Sequence, residues 1–113
     1  MEKTIHIGDK DVRMRVSARV PFDYRYCFGK DIIAEMQKIE KSGEVENFEV
    51  FENLAWLLAK NAGEEVFADL PVKEAVATWL DGFDDMFAII QATPDIMELW
   101  LSGSNTLSKP RKK

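Results

Sequence analysis

The chain has 113 residues, which is enough for one hydrophobic core but too few for two cores and a linker. Its composition, 46% hydrophobic and 31% charged, is that of a globular domain and excludes a chain that is disordered throughout. No apolar run is long enough to cross a bilayer, the N-terminal residues lack the apolar core of a signal peptide, and a single cysteine cannot form an internal disulfide. We therefore expect a cytoplasmic protein with no membrane partner.

The charge is unevenly distributed along the chain. Four of the 15 basic residues lie in the last five positions, and without them 11 basic residues face 20 acidic ones, a net charge of −9. Because an acidic body repels phosphate groups, this distribution disfavours nucleic acid as a partner. The basic end predicts either a contact with an acidic partner or RNA, or a solvated end that keeps the chain soluble; its residues are Lys109, Arg111, Lys112 and Lys113.

Residues 4–16 predict a β-hairpin, because two stretches of alternating apolar and polar side chains flank turn residues at 8–11. One face is apolar and consists of Ile5, Ile7, Val12, Met14 and Val16, whereas the other carries Thr4, His6, Arg13 and Arg15. An isolated hairpin is only marginally stable in water. The apolar face is therefore expected to pack on helices or to pair with another chain, which would make the hairpin a surface for self-association.

Helical spacing of apolar residues, with start and stop signals, predicts helices over about 21–28, 30–41, 48–60 and 72–80. The segment 86–92 is apolar nearly all round and is expected to be buried. Around Pro94 the sequence predicts either a further helix over 95–101 or one long helix with a kink. In the second helix the expected buried stripe is Ile32, Ile33, Met36 and Ile39.

These elements predict an α+β fold that is mainly α. A single domain over residues 1–102 would consist of the hairpin (1–17) packed on a bundle of four to six helices (21–102). Residues 103–113 show no periodicity and predict a flexible basic tail.

The motifs of common active sites are absent, so we expect no enzymatic activity, no cofactor and no metal. Cys27 has no obvious base, since the only histidine, His6, lies on the polar face of the hairpin. Asp81, Asp84 and Asp85 lack the ligand spacing of a calcium loop and are expected to cap the next helix. No glycine pattern suits a phosphate group.

A basic and aromatic stretch runs through the first part of the chain, and comprises Lys10, Arg13, Arg15, Arg19 and Arg25 with Tyr24 and Tyr26. Such interleaving is found where proteins bind single-stranded nucleic acid, but it is more often a solvated surface. Each tryptophan is interpreted as a core residue or, where exposed, as a contact for a partner. Along the later helices the candidate anchors for a partner are Phe83, Phe87 and Trp100.

Three stretches, in this order and spacing, resemble the tail assembly chaperones of long, non-contractile-tailed phages and prophages of Gram-positive bacteria. Residues 20–32 resemble that family's Pro-x-x-Tyr-Arg-x-x-Phe-Gly-[Arg/Lys]-Asp stretch, residues 53–60 its Ala-Trp-x-x-Ala-[Lys/Arg] helix, and residues 78–84 its Trp-Leu-x-x-Phe motif. The matching positions are Pro21, Tyr24, Arg25, Phe28, Gly29, Asp31, Trp56 and Trp79.

The resemblance implies a non-enzymatic protein of the bacterial host cytoplasm that is absent from the mature virion. Its partner would be the tape measure protein, the helical rod that sets tail length, which the chaperone keeps soluble until tail tube protein polymerises around it. Family members are often also made as a longer, frameshifted product, and the resemblance implies that the codons of Lys112 and Lys113 are either the slip site or simply part of a soluble end. The alternatives are another morphogenesis protein, such as a head–tail connector component, or a small nucleic-acid-binding regulator.

Overall fold

The computed structural model describes the backbone of residues 1–108 and the side chains of residues 1–103. An N-terminal hairpin is followed by five helices: β1 (Glu2–Ile7), β2 (Lys10–Arg15), α1 (Arg19–Phe28), α2 (Ile32–Ser42), α3 (Glu49–Asn61), α4 (Val72–Leu80) and α5 (Ala88–Ser108). The predicted fold, a hairpin packed on a helical bundle, is confirmed. None of the helices within the described residues is long and apolar enough to cross a membrane.

The hairpin has the predicted register and the predicted faces. Its strands are antiparallel, with Ile5 opposite Val12, and Gly8 at the turn has a φ of 63°, a conformation that favours glycine. The ladder extends by one pair, because the Val16 N–H donates to the Met1 carbonyl at 2.7 Å. The side chains of Ile5, Ile7, Val12 and Met14 are buried, and those of the opposite face are exposed.

Helix α3 is the centre of the core. It packs against β2, α1, α4 and α5, while α5 packs against β1 as well as α3. The apolar face of the hairpin is therefore covered by helices of its own chain. This is the first of the two arrangements that the sequence allowed. The buried side chains of α3 are Val50, Phe51, Leu54, Ala55, Trp56, Leu57, Leu58 and Ala59.

Local signals explain where the first two helices begin and end. Gly29 follows α1 in the left-handed conformation, and its N–H donates to the Arg25 carbonyl at 2.8 Å. The Asp31 carboxylate then accepts a hydrogen bond from the Ala34 N–H at 3.2 Å and caps α2. Helix α1 begins two residues before Pro21, which is tolerated because the first N–H groups of a helix have no partner within it.

Two expectations about burial and helix ends were wrong. Ile33 was expected in the buried stripe of α2 but is exposed. Helix α2 packs mainly against α1, and only Ile32 and Met36 of α2 are fully buried. Helix α5 is one helix that contains Pro94, so the single-helix alternative at Pro94 is confirmed. It also continues through residues 103–108, which the sequence pattern assigned to the tail. Residues 109–113, and with them the basic end, lie outside the described residues.

Packing explains why α5 extends beyond its apolar pattern. A Cβ atom placed on Gly103 would lie 2.6 Å from Cγ1 of Val16, so the helix backbone lies directly against the segment between β2 and α1. Small and polar residues such as those at 102–106 are weak helix formers on their own. The tertiary contact at Val16 therefore supports a helical conformation that local propensity does not predict.

Candidate partner-binding surface

One side of α5 is apolar and open to solvent. The exposed fraction is 52% for Phe87, 38% for Ile90 and 39% for Leu101, Pro94 is exposed, and Met97 is half-buried. These residues follow one another at intervals of three and four, so they form one line along the helix. We call this line the α5 stripe, which consists of Phe87, Ile90, Pro94, Met97 and Leu101. From Ile90 to Leu101 it is about 16 Å long at the usual helical rise.

The loop before α5 extends this apolar surface. Met86 is 84% exposed, and Phe83 is half-buried with its ring 5.0 Å from that of Trp79 in an edge-to-face contact. A shallow groove runs from the loop to the start of α3 and is lined by Phe48, Leu80, Phe83, Met86, Ile89 and Ile90, with Glu52 and Asp85 as its charged residues. The apolar area therefore continues past the N-terminal end of α5.

Asp85 fixes the turn that precedes α5. Its carboxylate accepts a hydrogen bond from the Phe87 N–H at 2.9 Å, and its carbonyl accepts one from the Ala88 N–H at 2.9 Å. The first helical hydrogen bond runs from the Gln91 N–H to the Phe87 carbonyl, so Asp85 orders the approach to α5, and among the described hydrogen bonds its side chain does not cap a helical N–H as the sequence predicted. Within the described residues, no group of three or more His, Cys, Asp or Glu side chains is arranged to hold a metal ion.

The surroundings of the stripe are acidic. Residues 74–108 contain no lysine, arginine or histidine, but they include six acids: Glu74, Asp81, Asp84, Asp85, Asp95 and Glu98. Glu98 forms an ion pair with Lys3 of β1 at 2.7 Å, which lowers the pKa of Glu98 and raises that of Lys3. Asp84, Asp85 and Asp95 have exposed side chains beside Phe87 and Pro94.

The three predicted anchors differ in their burial. Phe87 is exposed and belongs to the stripe, Phe83 is half-buried, and Trp100 is only 6% exposed. Trp100 is therefore a core residue and not a surface anchor, because it lies on the side of α5 that faces the bundle. The segment 86–92 is also not wholly buried as expected, since Met86, Phe87 and Ile90 are exposed whereas Ala88, Ile89 and Ala92 are buried.

Sequence reasoning missed the rest of the stripe, namely Ile90, Pro94, Met97 and Leu101. The signal that reveals them is their spacing of three and four residues. It is hidden in the sequence because α5 is apolar on its core-facing side too, with Ile89, Ile96 and Leu99 buried there.

The positions that resemble the chaperone family join α1 to α3. The ring of Tyr24 lies 4.7 Å from that of Phe28, which lies 6.1 Å from that of Trp56. The Trp56 indole N–H donates to the buried Val66 carbonyl at 2.9 Å and so fixes the segment after α3. Burial raises the pKa of Tyr24 to about 12, and the side chain of Asn53 acts in the opposite direction.

The remaining positions of the resemblance are also explained by the fold. Pro21 lies in the first turn of α1, Gly29 and Asp31 end α1 and begin α2, and Trp79 is buried in the core. Arg25 is exposed in the last turn of α1, where a cation is favoured by the helix dipole. These positions therefore support the fold, and none of them belongs to the α5 stripe.

Two of the five cations in the basic and aromatic stretch, Arg13 and Arg19, form ion pairs with acids. Arg13 Nε lies 3.2 Å from the Glu64 carboxylate, which also accepts a hydrogen bond from the Arg13 backbone N–H. Arg19 Nε lies 2.8 Å from the carboxylate of Asp23. The outer face of the hairpin has mixed charge, because Glu2 lies opposite Arg15 and His6 contacts Asp11 at 2.8 Å. The two ion pairs and the mixed charge of the hairpin face disfavour the binding of nucleic acid phosphates there.

The surroundings of Cys27 disfavour the thiolate form that a nucleophile needs. Its side chain is half-buried at the end of α1, and burial raises the pKa of its thiol. A raised pKa reduces the fraction of thiolate, which is the reactive form. His6 is paired with Asp11 on the hairpin and is not placed with Cys27 by any described contact.

Comparisons of the chain with protein-family models, with curated protein sequences and with solved structures found no match. The surfaces described above and the resemblance in sequence are the grounds on which a function can be inferred. The α5 stripe includes three of the large hydrophobic side chains that are exposed within the described residues, namely Phe87, Ile90 and Leu101.

Proposed function

We propose that this protein is a non-enzymatic tail assembly chaperone of a phage or prophage. It binds the tape measure protein and keeps it soluble in the host cytoplasm while tail tube protein polymerises around it. The observation that carries the proposal is the α5 stripe: an apolar line of side chains, open to solvent, on a helix whose other side lies in the core.

A long helical rod provides the physical reason for such a surface. An unassembled rod exposes apolar side chains at helical spacing, and these aggregate unless another protein covers them. An amphipathic helix is recognised through anchors at intervals of three and four residues, which is the spacing of the stripe. The acidic body of the chaperone would add solubility to the complex, since net charge away from zero opposes association.

The exposed features of the molecule give less support to the alternative functions. A nucleic-acid-binding regulator needs free cations, whereas Arg13 and Arg19 are paired with Glu64 and Asp23. A head–tail connector component would use an apolar surface as well, but it would remain in the virion. The presence of the protein in purified virions therefore separates a connector from a chaperone.

The test is co-expression of this chain with the tape measure protein encoded beside it, followed by size-exclusion chromatography of the soluble fraction. We expect the tape measure protein to be soluble only with the chain present, and to co-elute with it. The variant Ile90→Ser/Leu101→Ser should lose both effects. The matched control Phe22→Ser/Tyr26→Ser removes two exposed aromatic side chains from α1 and should retain both.

Three results would count against the proposal. The tape measure protein could stay insoluble with both this chain and any longer frameshifted product. The stripe variant could solubilise it as well as the unaltered chain does. Mass spectrometry could find the chain in purified virions, which would favour a connector component.

A further inference from the structure

The segment that carries the α5 stripe is acidic. Residues 74–108 include six acids and no lysine, arginine or histidine. Lys3 of β1 is the described cation that pairs with this segment: it contacts Glu98 at 2.7 Å and interacts electrostatically with Asp95. Asp84 and Asp85 lie at the head of the stripe, and Asp95 lies beside Pro94 on α5. A partner with acidic flanks would bring like charges together at these positions, which costs binding energy.

We infer that the α5 stripe binds a cationic amphipathic helix, that is, a helix whose apolar face is flanked by lysine or arginine. Its apolar side chains would pack on Ile90, Met97 and Leu101, and its cations would lie near Asp84, Asp85 and Asp95. The inference rests on the proposed function only for the identity of the protein that supplies the helix.

The length of the stripe favours a partner helix over a second copy of this chain. The exposed aromatic side chains of α1, Phe22 and Tyr26, are one turn apart, whereas the stripe covers about four turns from Phe87 to Leu101. Arg19, one of the cations on α1, is already paired with Asp23 at 2.8 Å. Of the two cations on α1 only Arg25 has no described ion pair, and the exposed aromatic pair of α1 is too short to match the stripe.

The experiment uses two designed helical peptides of equal length with the same leucine stripe, one with lysine flanks and one with glutamate flanks. Each is labelled, and its binding to the full chain is measured by fluorescence anisotropy at low and at high salt. We expect the lysine peptide to bind about tenfold more tightly at low salt, because several partly exposed charge pairs add up to that ratio. The preference should shrink at about 0.5 M salt, where such pairs are screened.

Two variants locate the site. Ile90→Ser/Leu101→Ser should abolish binding of the lysine peptide without unfolding the chain at the temperature of the binding measurement. Asp84→Asn/Asp95→Asn should retain binding but reduce the preference for lysine over glutamate to about twofold, because fewer charge pairs remain. The control Glu40→Gln/Glu44→Gln removes two exposed carboxylates near the end of α2 and should leave the preference unchanged.

Equal binding of both peptides, or binding of neither, would overturn the inference. A dimer that forms with increasing concentration in sedimentation, and that Ile90→Ser disrupts, would also overturn it in favour of a second copy. The peptide-binding experiment and the co-expression test of the proposed function can fail independently. Failure of the lysine peptide with rescue of the tape measure protein would refute only the inference, and binding of the peptide without rescue would refute only the function.

Discussion

Helices α3 and α5 are both strongly apolar, yet they have different surroundings. In α3, side chains on nearly every side are buried, including Val50, Phe51 and the run from Leu54 to Ala59. In α5, Ile96, Leu99 and Trp100 are buried, but Ile90 and Leu101 are exposed. Apolar composition therefore does not distinguish a core helix from a helix with an exposed apolar side.

The difference comes from position in the bundle. Helix α3 lies between β2, α1, α4 and α5, so each of its sides meets another element. Helix α5 lies at the edge and packs against β1 and α3. Its remaining side keeps its apolar residues in solvent, which soluble proteins tolerate in large patches mainly where another molecule binds. Four predictions test this contrast between the two helices.

Trp56→Ala should have the largest effect, because Trp56 is 1% exposed at the centre of α3 and its indole also binds the Val66 carbonyl. We expect a loss of about 3–5 kcal/mol in the free energy of unfolding, the range for removal of a large buried aromatic side chain. Urea denaturation followed by circular dichroism measures it. A loss below about 1 kcal/mol would mean that α3 is not enclosed as described.

The pH dependence of stability tests whether α1 covers α3 at Tyr24. The pKa of Tyr24 is raised to about 12, so the unfolded chain releases this proton near pH 10 while the folded chain keeps it. The resulting stabilisation is complete below about pH 10 and is lost as pH rises towards about 12, by about 3 kcal/mol at most.

The measurement is the free energy of unfolding across that pH range for the unaltered chain and for Tyr24→Phe. All other groups titrate in the same way in both proteins. The difference between the two slopes of unfolding free energy against pH is therefore due to Tyr24. Parallel slopes would show that Tyr24 is as accessible to solvent as in the unfolded chain.

Gly103→Ala tests how closely α5 packs against Val16, in the segment between β2 and α1. The new Cβ would lie 2.6 Å from Val16 Cγ1, so either the helix or Val16 must shift. We expect a net loss of about 1–2 kcal/mol in the free energy of unfolding, although alanine is the better helix former by about 1 kcal/mol. Adding Val16→Ala should recover part of the loss in a double-mutant cycle. A gain in stability from Gly103→Ala alone would contradict the close contact.

Ile90→Ser and Leu101→Ser should have the smallest effect on folding, because both side chains lie on the open side of α5. We expect each to lower the free energy of unfolding by about 1 kcal/mol, because each side chain is about three-fifths buried and loses that apolar contact. Leu54→Ser on α3 is the matched contrast and should be strongly destabilising, since Leu54 is fully buried. Similar losses in the free energy of unfolding for Ile90→Ser and Leu54→Ser would show that the stripe is part of the core.

Most of the local structure was predictable from the sequence. Alternation of apolar side chains indicated the hairpin and its faces, and Pro71 with the break at 81–82 indicated the bounds of α4 correctly. The Gly29 and Asp31 signals placed the boundary between α1 and α2 within two residues. These features depend on nearby residues and on backbone preferences, which a sequence contains directly.

The candidate surface was only partly predictable. Phe87 was proposed as an anchor and is exposed, but Trp100 was proposed beside it and is in the core. Ile90 and Leu101 were missed, since a helix that is apolar on all sides has no pattern that separates its two faces. Which face is open depends on the neighbours of α5, and these come from distant parts of the chain.

By itself the sequence determined the elements of this protein: an N-terminal hairpin, helices with clear ends, an apolar α3 and an acidic body. Tertiary structure alone decided that α3 is enclosed, that α5 continues past Gly103 against Val16, and that the α5 stripe is open to solvent. The physical reason is that turns, caps and periodicity arise from local interactions. Burial, in contrast, depends on which elements pack against each other, and α5 lies at the edge of the bundle.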